Sequence, residues 1–173
     1  MYAYCPAETG KGIKRALAAW LKEFKRSVFF RRLLALTFYT SLVLFRTLLN
    51  RKLWLNPLSD VCGGWSLWTI NANGVRVLTT DSVENVLMLL PFTMLLMWAA
   101  KDKILKKVTF AGIVKSSFKT AFLFSLSVEL LQLFLRVGTF QLSDLCYNTL
   151  GGIIGGVIYG AVWKIKSRKK MES

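Results

Sequence analysis

Between Glu129 and Gly156 the chain carries two apolar runs in which polar side chains recur at helical spacing. Glu129, Gln132 and Arg136 stand at i, i+3 and i+7, which sets a carboxylate, an amide and a guanidinium on one helical stripe. Asp144 and Asn148 stand at i and i+4 on the next run, which leads on to Gly151, Gly152, Gly155 and Gly156. Asn85 lies early in one further apolar stretch and Arg46 late in another. Ionisable groups are costly inside hydrocarbon and mark functional sites there. Glu129 and Asp144 are therefore candidate acceptors, proton holders or general bases. Arg136 has the planar fork that suits a phosphate or carboxylate. Asn85, Gln132 and Asn148 either position a ligand or fix helix register by interhelical hydrogen bonds. A competing structural reading pairs the carboxylates with Arg46 and Arg136, because a buried carboxylate must be protonated, paired or wet.

Other chemistry is narrowed by what the chain lacks. It has no His, the commonest general base and nucleophile activator. Its three cysteines, Cys5, Cys62 and Cys146, form no Cys-x-x-Cys pair and no even disulfide framework, so no metal and no cofactor is expected. Any catalysis must rest on carboxylates, Arg, Lys, Ser, Thr, Tyr or Cys.

The elements that hold these groups follow from composition. The chain is 54% hydrophobic yet carries a formal charge of +15, with a mean hydropathy of +0.43. The two agree when apolar helices cross lipid and basic residues lie in their flanks. The basic residues come in blocks that alternate with apolar spans, so no nucleic-acid partner is expected. Four runs of 17–19 residues are predicted to span: Leu33 to Leu49, Val83 to Ala100, Phe118 to Leu135 and Leu145 to Trp163. They are slightly short of the ~20 residues that cross ~30 Å of hydrocarbon.

Basic residues fill the N-terminal block from Lys11 to Arg32, the connection from Lys101 to Lys119, and the tail from Lys164 to Lys170. The others, Arg46, Arg51, Lys52, Arg76 and Arg136, accompany Asp60, Asp81, Glu84, Glu129 and Asp144. The positive-inside rule then puts both termini in the cytoplasm, as an even number of spans requires. The polar groups all fall in the outer half of the membrane.

Residues 1–32 form a cytoplasmic segment, 33–163 the four-helix transmembrane domain and 164–173 a basic tail. Ile13, Ala16, Leu17, Trp20, Leu21, Phe24 and Val28 fill one face of a helix whose other face carries Lys11, Lys14, Arg15, Lys22, Lys25 and Arg26. Such a helix lies on an anionic leaflet or packs on a partner protein. The segment lacks the small-residue site of a cleavable signal peptide. Trp65 to Ile70 and Val75 to Thr80 flank Asn71-Ala72-Asn73-Gly74, a hairpin signal. Trp54, Trp65 and Trp68 serve either as interface anchors or as part of a lid over the polar groups. The glycines at 151, 152, 155 and 156 permit close helix packing, within the chain or in a dimer, and leave the oligomeric state open. Pro91 is expected to kink the second span and open room near Asn85.

At these residues the sequence resembles the VanZ-like family of small bacterial membrane proteins. The matching pieces are Ser127-Val128-Glu129-Leu130-Leu131-Gln132, then Asp144 through Gly152 with Gly155 and Gly156, and upstream Asn85 through Thr93. The resemblance covers roughly residues 33–163. Leu89 stands where Phe is usual, Thr93 where Gly is usual, and Gln141 where an acid is often found. The resemblance implies an all-α, multi-pass protein of the bacterial cell membrane. It also implies a role in low-level resistance to teicoplanin, a glycopeptide with a fatty acyl tail. The partners expected are membrane lipids, a lipid-linked wall intermediate or the lipoglycopeptide itself. Two other readings stay open: a small enzyme acting on lipid headgroups through Glu129 or Asp144, and an accessory subunit that recruits a partner through its basic face.

Overall fold

A computed structural model describes residues 6–49, 56, 58–66, 68–72 and 74–171. Cys5, Arg51, Lys52, Trp54, Asn73 and Glu172 lie outside the described residues.

Helix α1 (Pro6–Arg26) precedes α2 (Val28–Leu44), which runs on into a π-helical turn, Phe45–Leu49. A two-stranded hairpin, β1 (Trp68–Ile70) and β2 (Arg76–Leu78), leads into α3 (Thr80–Ile104), α4 (Phe110–Leu135) and α5 (Leu142–Met171). Four helices are long and apolar enough to cross a membrane: Val28–Leu49, Thr80–Ile104, Phe110–Leu135 and Leu142–Lys169. Each overlies one predicted span and extends beyond it, because polar residues at the ends continue the helical hydrogen-bond ladder once it is nucleated. Helix α3 runs through Pro91 without interruption.

The break between α1 and α2 is local chemistry. Ser27 has extended backbone and its side chain accepts from the Phe30 amide, an N-cap that restarts the helix. Thr109 does the same for α4 by accepting from Gly112 N at 3.0 Å.

Helix α5 is the centre of the bundle and packs along both α3 and α4, while α2 leans on α3. Glycines make that possible. A Cβ on Gly151 or Gly155 would meet the carbonyl oxygens of Val86 and Leu90 on α3. One on Gly152 or Gly156 would meet Ala121 and Ser117 on α4. Adjacent glycines thus serve two neighbours, as small-residue faces do in lipid, where close van der Waals contact replaces the hydrophobic drive. Thr93 fills the space where the resemblance leads one to expect Gly. It is fully buried, and its Oγ1 donates to Gly152 O at 2.9 Å. Val43, Leu89, Phe92 and Ala121 form the apolar core, with Phe92 stacked on Phe124 at 4.5 Å. Phe38, Leu42, Leu130 and Phe134 remain exposed on the outside of the bundle, which suits a lipid surround.

The two ends of the bundle differ. At the basic end Arg32 lies 5.1 Å over the Trp98 ring, and Lys103 lies 3.9 Å over Phe29. At the other end sits the hairpin, paired in the register Trp68↔Leu78, Thr69↔Val77 and Ile70↔Arg76. Asn71 closes its turn. The Asn71 side chain accepts from Val75 N, Asn71 N donates to Val75 O, and Gly74 takes the left-handed φ of 73° that glycine adopts freely.

Candidate functional site

At the hairpin end a cavity of about 360 Å³ opens among Arg46, Thr47, Asp81, Glu84, Asn85, Met88, Gly138, Thr139, Gln141 and Asp144. A smaller chamber of about 230 Å³ adjoins it and shares Asp81, Gln141 and Asp144, with Asp60, Gly64, Ser66, Thr79, Ser82 and Ser143 completing its wall. The chambers are positioned by the start of α3, the start of α5, the π-helical turn after α2, and the turn joining α4 to α5.

Asp144 and Asn85 anchor the floor. Both are buried, and Asn85 Nδ2 donates to Asp144 Oδ1 at 2.8 Å. Asp144 sits in the first turn of α5, where the helix dipole favours negative charge. Arg46 and Glu84 form an ion pair of 2.8 Å at the mouth, each side chain about half exposed (55% and 53%). A pair so exposed contributes little to stability, about 0–1 kcal/mol, so it is free to exchange partners with a ligand.

Glu129, Gln132 and Asn148 are buried just behind the cavity and do not line it. Glu129 Oε2 accepts from the backbone amide of Gln141 at 3.1 Å, which ties α4 to the start of α5. Gln132 Nε2 donates to Thr47 O at 2.8 Å, and its Oε1 has no partner among the described residues. Asn148 Nδ2 donates to Ser125 Oγ at 3.1 Å, and its Oδ1 is likewise unpartnered. It borders a void of about 10 Å³ with Thr47 and Ser125, about the size of one water.

Arg136 is set apart from the others. Spacing alone put it on the Glu129 stripe, but the helix ends at Leu135 and Arg136 adopts the left-handed conformation at φ 57°. Arg136 N donates to Leu133 O and Val137 N to Gln132 O, the paired bonds of a Schellman cap. The side chain is exposed and is not among the cavity's lining residues.

Sequence reasoning missed Asp81, Glu84 and Gln141 as cavity residues. Asp81, Glu84, Asn85 and Met88 stand at i, i+3, i+4 and i+7, so one stripe at the start of α3 carried the signal. Gln141 has no periodicity to reveal it. It acts at a turn, where its backbone serves Glu129 and its Nε2 donates to Asp60 Oδ2 at 2.8 Å.

The segment before the hairpin folds over this end. Leu142 N donates to Val61 O, Tyr147 Oη to Trp65 O, and Thr79 Oγ1 to Ser66 O. Gly63 has φ 68°, and a Cβ there would meet Ser143 Oγ. Trp65 and Trp68 are themselves exposed. Among the described residues no group of His, Cys, Asp or Glu is arranged to hold a metal ion.

No curated protein and no solved structure matched the chain. One protein-family model did, described as VanZ/LLP1, over residues 17–164. That match takes in α2, α3, α4 and most of α5, both chambers and every buried polar residue described above. The chain therefore belongs to the VanZ/LLP1 family.

Proposed function

We propose that this protein sits in the bacterial cell membrane with both termini in the cytoplasm. There it lowers susceptibility to acyl-tailed glycopeptides by engaging, at the hairpin end, the antibiotic itself, an envelope lipid or a lipid-linked wall intermediate. The observation that carries the reading is the polar cavity of about 360 Å³, in which buried Asn85 and Asp144 lie beneath the half-exposed Arg46–Glu84 pair. Helix registration alone needs no opening of that size. The family membership supports the link to glycopeptide resistance. The crowding of Lys and Arg at the opposite end supports an outward-facing cavity, and the basic face of α1 supports its lying on the inner leaflet.

Binding is preferred over catalysis because Glu129, one of the two carboxylates proposed as a base, is occupied by the Gln141 amide behind the cavity. The test is teicoplanin susceptibility of cells carrying wild-type protein or Asp144→Asn, at equal membrane levels. The variant is expected to return cells to the susceptibility of a strain without the gene. Full tolerance in Asp144→Asn cells would refute the cavity as the working site.

A further inference from the structure

We propose that the α2–α3 seam at the basic end of the bundle binds the phosphate of an anionic phospholipid, held between Arg32 and Lys103. This site is separate from the hairpin-end cavity, and its test does not depend on that reading.

The seam is crossed by two reciprocal contacts. Arg32 of α2 reaches over the Trp98 ring at 5.1 Å, and Lys103 of α3 reaches back over Phe29 at 3.9 Å. With Arg46 meeting Glu84 further along, the order of these contacts makes the two helices antiparallel. The two crossings are about 4.5 Å apart along α2 and about 7.5 Å apart along α3, a separation that one glycerophosphate head bridges. Long basic side chains near helix ends ordinarily snorkel freely toward the headgroups. Here each lies on an aromatic ring of the neighbouring helix, and cation–π attraction holds it there. Less side-chain freedom is lost on binding, so the pair is preorganised.

Both cations lack a counter-ion. Among the described residues neither Arg32 nor Lys103 makes an ion pair, and the adjacent acid, Asp102, is already paired with Lys101 at 2.7 Å. Arg32 Nη1 donates to Trp98 O at 3.3 Å, while its buried Nε has no acceptor. A guanidinium offers its N–H groups as a planar fork that matches two phosphate oxygens. A phosphate seated on that edge supplies the missing acceptor and takes its second contact from the Lys103 ammonium. The surround selects a lipid over a soluble phosphate. Val28, Phe29, Leu33 and Trp98 are exposed beside the two cations, on helices long and apolar enough to cross a membrane. Acyl chains cover such a surface below a bound headgroup, and a free phosphate ester leaves it bare.

The experiment holds the full chain in mild detergent with equal phosphatidylglycerol and phosphatidylcholine, and counts retained lipid by native mass spectrometry. Wild-type protein is expected to prefer phosphatidylglycerol by roughly tenfold, the ratio that about 1.4 kcal/mol of differential binding carries. Arg32→Gln/Lys103→Gln is expected to bring that preference close to unity. Lys166→Gln/Arg168→Gln removes as many charges from exposed positions near the end of α5 and should leave it unchanged. Trp98→Leu keeps every charge but frees Arg32, and should lower the preference severalfold. Should Arg32→Gln prevent folding, Lys103→Gln alone, at an exposed side chain, decides: it too should lower the preference. No preference in wild-type protein, or equal loss in the α5 control, reduces the effect to net charge and overturns the site. Full preference in Trp98→Leu overturns the preorganised seam. Glycerol 3-phosphate at millimolar concentration should not displace the bound lipid. Displacement would assign the cations to a soluble phosphate ester and overturn the phospholipid as their ligand.

Discussion

Asn85 and Asp144, far apart in the chain, meet across the α3–α5 interface at 2.8 Å, at 5% and 8% exposure. The contact exists because Gly151, less than two turns along α5, brings the α5 backbone against Val86 O. Helix approach and polar pairing are thus one feature. Asn85→Ala removes a donor and leaves that carboxylate oxygen without it, a loss of about 1–3 kcal/mol. Thermal unfolding of the detergent-solubilised protein should show a lower midpoint for Asn85→Ala. The double variant Asn85→Ala/Asp144→Ala should lose less than the two singles combined. Strict additivity would mean that the pair contributes no mutual stability.

Alanine at the glycines tests the same interface by crowding it. Gly151→Ala and Gly155→Ala would push Cβ into the Val86 and Leu90 carbonyl oxygens, which are backbone atoms and cannot swing aside. Overpacking of this kind costs roughly 1–3 kcal/mol. Gly12 has nothing within 4 Å of an added Cβ, so Gly12→Ala should leave the midpoint unchanged or raise it slightly by helix propensity. Equal midpoints for all three variants would contradict the packing described here.

The spans and the hairpin could be read from the sequence because each repeats a local rule: an apolar run, or β-prone segments around a turn. Buried groups at single spots were harder. Glu129 and Gln132 stand out as polar residues in apolar runs, but their partners are the Gln141 amide and the Thr47 carbonyl, backbone atoms that leave no mark on composition. Thr47 itself sits in the π-helical turn Phe45–Leu49, which no residue pattern announced. Arg136 misled for the opposite reason. Its spacing was helical, yet the helix had already ended.

Helix α1 presents Ile13, Leu17, Trp20 and Leu21 as exposed apolar residues opposite its basic face. If that apolar face enters the headgroup region of an anionic leaflet, cysteines introduced along it should be shielded. In a chain whose own cysteines are replaced by serine and which sits in phosphatidylglycerol nanodiscs, Leu17→Cys should resist an aqueous maleimide that labels Lys14→Cys. Reversing Lys22, Lys25 and Arg26 to Glu should unmask Leu17→Cys, as should high salt in part, since surface charge is screened over about 10 Å at 0.1 M. Equal labelling of the two positions in the unreversed chain would sink the interfacial placement.

Arg136 separates a structural role from an anion contact. It holds the left-handed position of the α4 cap at φ 57°, a conformation that costs a residue with a Cβ about 1–2 kcal/mol and glycine almost nothing. Arg136→Gly should therefore raise the unfolding midpoint, and Arg136→Val, β-branched at the same φ, should lower it. The two variants remove the same guanidinium. If the cation recruits an anionic headgroup to the cavity, both lose teicoplanin tolerance irrespective of stability. If the cavity works through Asp81, Glu84 and Asp144, Arg136→Gly keeps tolerance at wild-type membrane levels, and any loss in Arg136→Val follows its reduced amount of folded protein. The second outcome is expected, because Arg136 is not among the residues lining the cavity. Loss of tolerance in a stable, fully expressed Arg136→Gly protein would restore the guanidinium to the site.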